Sequence, residues 1–79
     1  MSEHERDTAH AAQATKAIFD GRDHEKEAGR ILVTLEHTIA VALLFLMKDP
    51  RNGARMLNEG LVPGVERRLS DYEAKVAKS

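Results

Sequence analysis

The sequence predicts an all-α protein of three to four helices arranged around one long central helix. Three observations support this fold class. No segment alternates apolar and polar side chains in the way that a half-buried β-strand requires. Residues with high helix propensity, such as Ala, Glu, Lys and Leu, are abundant. The two prolines fall at positions where helices would begin.

The first predicted helix spans residues 8–20. Asp7 or Thr8 is suited to be its N-cap, and Gly21 is suited to the left-handed position beyond its end. The charged residues 1–7 before it are predicted to form a flexible N-terminal segment, since chain ends without packing contacts are usually mobile. A single helical domain is therefore expected over residues 8–79.

The second predicted helix, residues 23–48, is the central element. Asp23 is a good N-cap, and Glu25 and Glu27 would favour the positive end of the helix dipole. Apolar side chains cover roughly 220° of this helix, whereas a surface helix usually hides a stripe about 100° wide. The helix therefore needs partners on two sides. Because the other predicted helices are short, one partner is expected to belong to another copy of the chain.

The central helix also contains the predicted subunit interface. Nine consecutive apolar residues run from Ile39 to Met47. Five side chains of the helix are assigned to the contact between copies: Leu32, Ile39, Leu43, Leu46 and Met47. A homodimer is the expected assembly, and a tetramer fits the same pattern. Self-association would complete the helical bundle and offset the marginal stability of a chain of 79 residues without cysteine.

Two shorter helices complete the prediction. Asp49–Pro50 supplies a cap and a proline suited to the first helical position, so a helix is predicted for residues 50–59. Gly60 should end it, and Pro63 should start the last helix, residues 63–77. The last helix carries apolar residues at heptad spacing: Val62, Val65, Leu69, Tyr72 and Val76. Because this seam lasts only two heptads, it is expected to pack along the central helix.

Glu36 and His37 form the most conspicuous polar pair of the central helix. A buried carboxylate beside an imidazole could support acid–base chemistry or metal binding. Adjacent helical residues point about 100° apart, however, and do not face each other. We therefore predict a structural role, in which Glu36 pairs with an arginine from another helix or subunit and His37 faces water. A helical metalloenzyme that uses both residues is the open alternative.

Arg67 and Arg68 are the candidate contacts for an anionic partner. Residues 48–79 carry seven basic and five acidic groups, a mixture typical of solvated helix faces. This composition lacks the strongly basic footprint of a nucleic-acid-binding protein. The alternative function is nevertheless a nucleic-acid-binding regulator, in which a dimer would bring two copies of the basic C-terminal half together.

The sequence contains no motif of a catalytic, cofactor or metal site. It lacks a glycine-rich phosphate loop, a cysteine nucleophile and an HExxH pattern. The charged N-terminus does not resemble a signal peptide, so a cytoplasmic location is expected. No membrane span is expected, because Arg30, Glu36 and His37 would be costly in lipid. Binding to a membrane surface stays open.

These features predict a small, non-enzymatic and cytoplasmic protein without cofactor or metal. Its main expected partner is a second copy of itself. A further partner would be another protein, bound through an apolar groove, which would make the chain a small interaction or regulatory protein. The basis is the excess of apolar surface on the central helix, since such surface marks a binding site when it stays exposed.

Overall fold

A computed structural model describes residues 2–77, and this part of the chain is all-α. Met1, Lys78 and Ser79 lie outside the described range. Four α-helices follow one another: α1 (Glu3–Phe19), α2 (Ala28–Met47), α3 (Pro50–Met56) and α4 (Val62–Ala77). A π-helix, Leu57–Leu61, joins α3 to α4. The chain divides into two compact units, and the boundary between them, between Thr38 and Ile39, lies inside α2.

Helix α1 begins at Glu3 rather than at residue 8. Ser2 is its N-cap, and the Ser2 Oγ accepts a hydrogen bond from the backbone N–H of Glu5 at 3.1 Å. Glu3 and Glu5 also place carboxylates at the positive end of the helix dipole. Most of the segment expected to be flexible is therefore helical. Beyond the other end, Gly21 adopts the left-handed conformation, with φ of 70°.

Helix α2 begins at Ala28 rather than at Asp23, because Asp23 caps a separate turn in front of it. The Asp23 carboxylate accepts hydrogen bonds from the backbone N–H groups of Glu25 at 2.9 Å and Lys26 at 3.2 Å. In return, the Glu27 carboxylate accepts from the Asp23 N–H at 2.9 Å. This reciprocal arrangement resembles a capping box. The capping chemistry expected from the sequence is present, one turn ahead of the helix.

In the first unit, the loop before α2 is fastened to the helix by Arg22. Its guanidinium donates hydrogen bonds to the Thr34 Oγ1 at 2.8 Å and to the carbonyl oxygen of Arg30 at 3.3 Å. Ile31 is buried in this unit, with 4% of its surface exposed. The first unit therefore has a very small core for a segment of this length, and most of the surface of α1 faces solvent.

In the second unit, Leu43 of α2 packs against Gly53 of α3. Leu43 is 8% exposed, and a Cβ placed on Gly53 would lie 3.7 Å from the Leu43 Cβ. The Asp49 carboxylate caps α3 by accepting a hydrogen bond from the Arg51 N–H at 2.8 Å. Pro50 occupies the first helical position. The glycine lets the two helices approach closely, so Leu43 is covered within the chain.

Gly60 and Pro63 do not separate α3 from α4, unlike the expectation from the sequence. The backbone continues through the π-helix, where the Val62 N–H donates to the Leu57 carbonyl oxygen five residues earlier. In a regular α-helix, the ring of Pro63 would crowd the carbonyl of Glu59, which would also lack a donor. The wider π turn relieves this crowding. Residues 50–77 therefore form one continuous helical path with an irregular turn in it.

Lys48 follows α2 in the left-handed conformation, with φ of 60°. This conformation costs residues with a Cβ about 1 kcal/mol and costs glycine little. We expect Lys48→Gly to be about 1 kcal/mol more stable than Lys48→Ala, since both variants lose the same charge but only alanine keeps the Cβ. The difference corresponds to about 4–8 °C in melting temperature. Calorimetry at equal protein concentration measures it, and equal melting temperatures would contradict the prediction.

Candidate interaction surfaces

Four apolar side chains near the end of α2 form a continuous exposed surface, here called the α2 patch: Val41, Ala42, Phe45 and Leu46. Residues four apart lie on the same side of a helix, so the four side chains form two adjacent rows. Phe45 is 79% exposed and Leu46 is 74% exposed. Val41 is 50% exposed as well, and contiguous exposed apolar side chains of this kind mark interaction sites.

The α2 patch is exposed because α3 covers only one side of α2. Helix α3 has seven residues and contacts α2 at Leu43. At about 100° per residue, Phe45 projects on the order of 200° away from Leu43. A short helix packed on Leu43 therefore leaves Phe45 uncovered in the second unit.

An open apolar groove lies beside Leu43, between the end of α2 and α3. Its volume is about 320 Å³, at the lower end of the range for small-molecule pockets. Ala40 and Leu44 form one wall, and Pro50 and Ala54 form the other, with Leu57 at the end. The groove is thus a second apolar feature of the same unit, distinct from the α2 patch and open to solvent.

A third apolar surface, here called the α4 seam, consists of the heptad residues of α4: Val62, Val65, Leu69, Tyr72 and Val76. The exposed fraction rises from 39% at Val62 to 74% at Val76. None of residues 62–77 is buried. The seam is expected from the sequence to pack along the central helix, but it is uncovered in the structure.

The five side chains that the sequence assigns to a subunit interface differ in their exposure to solvent. Leu32 and Leu46 are exposed, Ile39 and Met47 are half-buried, and Leu43 is buried against α3. Leu43 is therefore part of the packing within the second unit. The sequence assignment also leaves out Phe45, the side chain with the largest exposed fraction among the large apolar residues that the structure describes. The sequence feature that could have identified Phe45 was its position in the apolar run from Ile39 to Met47.

The polar candidates lie on exposed helix surfaces. Glu36 and His37 are both exposed, and within residues 2–77 Glu36 forms no ion pair with an arginine. Arg67 and Arg68 are exposed on α4. Over the same described range, no three His, Asp or Glu side chains come close enough together to hold a metal ion. All four polar residues are therefore accessible to solvent.

A basic cleft in the first unit was not singled out from the sequence. Arg22, Lys26 and Arg30 line it together with Glu27 and Thr34, around an open volume of about 610 Å³. The sequence feature that could have identified this cleft was the spacing of its three cations, which are four residues apart. Arg22 already donates to Thr34, and Glu27 accepts from the Asp23 backbone, so part of the polar lining is used in holding the loop.

By length and composition, α2 could cross a membrane. It has 20 residues, and its most apolar stretch of 18 residues has a mean hydropathy of 1.8. The same composition occurs in signal sequences and in the core helices of soluble proteins, but core helices are mostly buried. Only 11% of this stretch is buried within the chain. A covering partner, whether protein or lipid, would remove most of its apolar surface from water.

Comparisons with protein-family models, with curated proteins and with solved structures gave no match. A functional inference for this chain therefore depends on the chemistry of its exposed surfaces.

Proposed function

We propose that the protein is a small, non-enzymatic interaction protein that associates with a second copy of itself through the α2 patch. The observation that carries this proposal is the exposure of Phe45 and Leu46 within a run of nine uncharged apolar residues. The cores of protein interfaces are depleted of charged residues and enriched in aromatic ones. The α2 patch has both properties.

A second copy is the partner that best accounts for the stability of the chain. Ile31 and Leu43 are the large apolar side chains that are buried within residues 2–77. A chain of this size is marginally stable even with a normal core. Burying one exposed Leu or Phe contributes about 1.5–3 kcal/mol, and a symmetric contact buries each such residue in both copies. Self-association would therefore bury apolar surface that the single chain leaves exposed, and a second copy is a partner that is always present.

The polar surfaces would then carry the contacts with other molecules. Once the α2 patch is covered by a second copy, the basic cleft around Lys26 in the first unit and Arg67 on α4 remain accessible. A regulatory role through one of these surfaces is part of the proposal. An anionic partner suits them best, since three cations line the cleft, Arg22, Lys26 and Arg30, and Arg67 is exposed on α4.

Membrane binding through α2 is a second candidate, favoured by the length, hydropathy and low burial of this helix. Arg30, Glu36 and His37 count against it. All three lie within Ala28–Met47, and charged side chains at membrane depth cost several kcal/mol each. In a dimer, the same three residues can stay in water at no such cost.

The mass of the protein in solution, measured by light scattering during gel filtration over a hundredfold dilution, separates the two candidates. We expect a constant dimer or tetramer mass, little binding of the dye ANS, and no flotation with phosphatidylcholine or anionic vesicles. A monomer that binds ANS strongly and floats with the vesicles would instead support the membrane candidate. A folded monomer that does neither would contradict both.

A further inference from the structure

We propose that the α4 seam pairs with the α4 seam of a second copy, in a parallel and in-register orientation. This inference rests on the proposed self-association and adds an orientation to it. The occupant of the seam is thus a second copy of the chain, and the charges on either side of the seam identify it.

The apolar residues of α4 follow a heptad repeat, abcdefg, in which positions a and d face the partner helix. Val62, Leu69 and Val76 occupy position a, and Val65 and Tyr72 occupy position d. All five are exposed to between 39% and 74%. Valine at two of the three a positions favours a two-stranded assembly, since β-branched side chains pack well there in parallel dimers.

The charged residues beside the seam are sorted by sign. Position e carries Glu66 and Glu73, while position g carries Arg68 and Lys75. In a parallel pair of helices, a g residue faces the e residue that lies five positions further along the partner. Arg68 of one copy would therefore face Glu73 of the other, and the two-fold symmetry gives this pair twice.

The antiparallel arrangement would bring like charges together. In that orientation, e positions face e positions and g positions face g positions. Glu66 and Glu73 would then face glutamates, and Arg68 would face basic groups. Like charges at a contact are unfavourable. The charge pattern therefore selects the parallel pair over the antiparallel one.

Two heptads are too short for a coiled coil that is stable alone. The pair of α4 helices must therefore be supported by another contact between the copies, for which the α2 patch is the proposed source. If the two contacts join the same two copies, the assembly is a dimer. If they join different copies, two sets of two-fold axes produce a tetramer.

Charge reversal tests the orientation. We expect Arg68→Glu to weaken the self-association that light scattering measures by about tenfold, because two attractive pairs become repulsive ones. Glu73→Arg should weaken it similarly, and the double variant should restore most of the affinity. Arg67→Glu is the matched control: it changes the same charge at the neighbouring position f, outside the seam, and should have little effect. Circular dichroism verifies that all four variants keep their helix content.

Disulfide cross-linking tests the register, since the chain contains no cysteine. Leu69→Cys places one thiol at position a, where the two copies face each other at the same residue only in the parallel, in-register pair. Oxidation is expected to convert most of this variant into a covalent dimer. The control Ser70→Cys, at position b on the outer side, should cross-link far less.

The results distinguish a failure of this inference from a failure of the proposed function. An oligomer of unchanged affinity in Arg68→Glu and Glu73→Arg, without preferential cross-linking at position 69, would overturn the parallel pairing and leave self-association standing. A wild-type chain that is monomeric throughout the dilution series would overturn both. Weakening by the single reversals, recovery in the double variant and cross-linking at position 69 together would support the pairing.

Discussion

Phe45→Asp is expected to weaken self-association by more than 100-fold. The substitution removes an aromatic ring that contributes about 1.5–3 kcal/mol when buried. It also places a carboxylate where it would be desolvated without a partner, which costs more. In a symmetric contact, both losses occur in each copy. Because 1.4 kcal/mol corresponds to a factor of ten, light scattering at micromolar concentration should detect a largely monomeric protein.

Asn52→Asp is the control for this substitution. It introduces the same carboxylate at an exposed position of α3, which packs on the Leu43 side of α2 and not on the α2 patch. Its mass should stay that of the wild-type oligomer. Circular dichroism checks that both variants stay helical, since Phe45 is 79% exposed and contributes little to packing within the chain. An oligomer in Phe45→Asp as stable as that of the wild type would show that the α2 patch is not the contact.

The central helix was predictable from the sequence because its signal extends over many residues. A segment with a wide apolar arc and no strand-like alternation fits few structures other than a helix. Because the arc is wide, the rest of the chain can cover only part of that helix. The position of Asp49–Pro50 at the start of α3 was equally predictable from the sequence, since Asp favours the N-cap and Pro favours the first helical position for independent reasons. Each of these features depends on residues that are close together in the sequence.

Helix boundaries were harder to predict because several residues could cap each helix. Ser2, Asp7 and Thr8 all precede the alanine-rich part of α1, and each can accept the capping hydrogen bond. The structure has Ser2 in this role. In front of α2, the Asp23 carboxylate accepts from the Glu25 N–H and the Glu27 carboxylate accepts from the Asp23 N–H, which closes a separate turn. Local chemistry predicted the presence of a cap but not the length of the element behind it.

Which side of α2 the chain covers was not predictable at all. Leu43 and Leu46 are both leucines in the same apolar run, three residues apart. One is buried and the other is 74% exposed because Gly53 brings α3 against Leu43. This approach depends on the chain path after Pro50. The π turn at residues 57–61, which carries the chain from α3 into α4 without a break, was likewise not indicated by any pattern in the sequence.

Leu43→Ala is expected to destabilise the second unit by about 2 kcal/mol. Replacing a buried leucine with alanine costs about 2–5 kcal/mol, and the open groove beside Leu43 allows neighbouring side chains to relax, which favours the lower end. Leu44→Ala is the matched control. Leu44 is 50% exposed, so its truncation should cost less than about 1 kcal/mol. Urea unfolding followed by circular dichroism compares the two variants.

The dependence of unfolding on protein concentration decides whether Leu43 belongs to the core or to an interface. A contact within one chain is lost equally at every protein concentration. The decrease in the free energy of unfolding caused by Leu43→Ala should therefore persist when the protein is concentrated. A contact between copies is recovered by mass action as the concentration rises. If this decrease in the free energy of unfolding disappears at high concentration, Leu43 contacts a second copy, as its place in the apolar run predicts. If it persists, the close approach of Gly53 makes Leu43 a core residue and leaves the interface to Phe45 and Leu46.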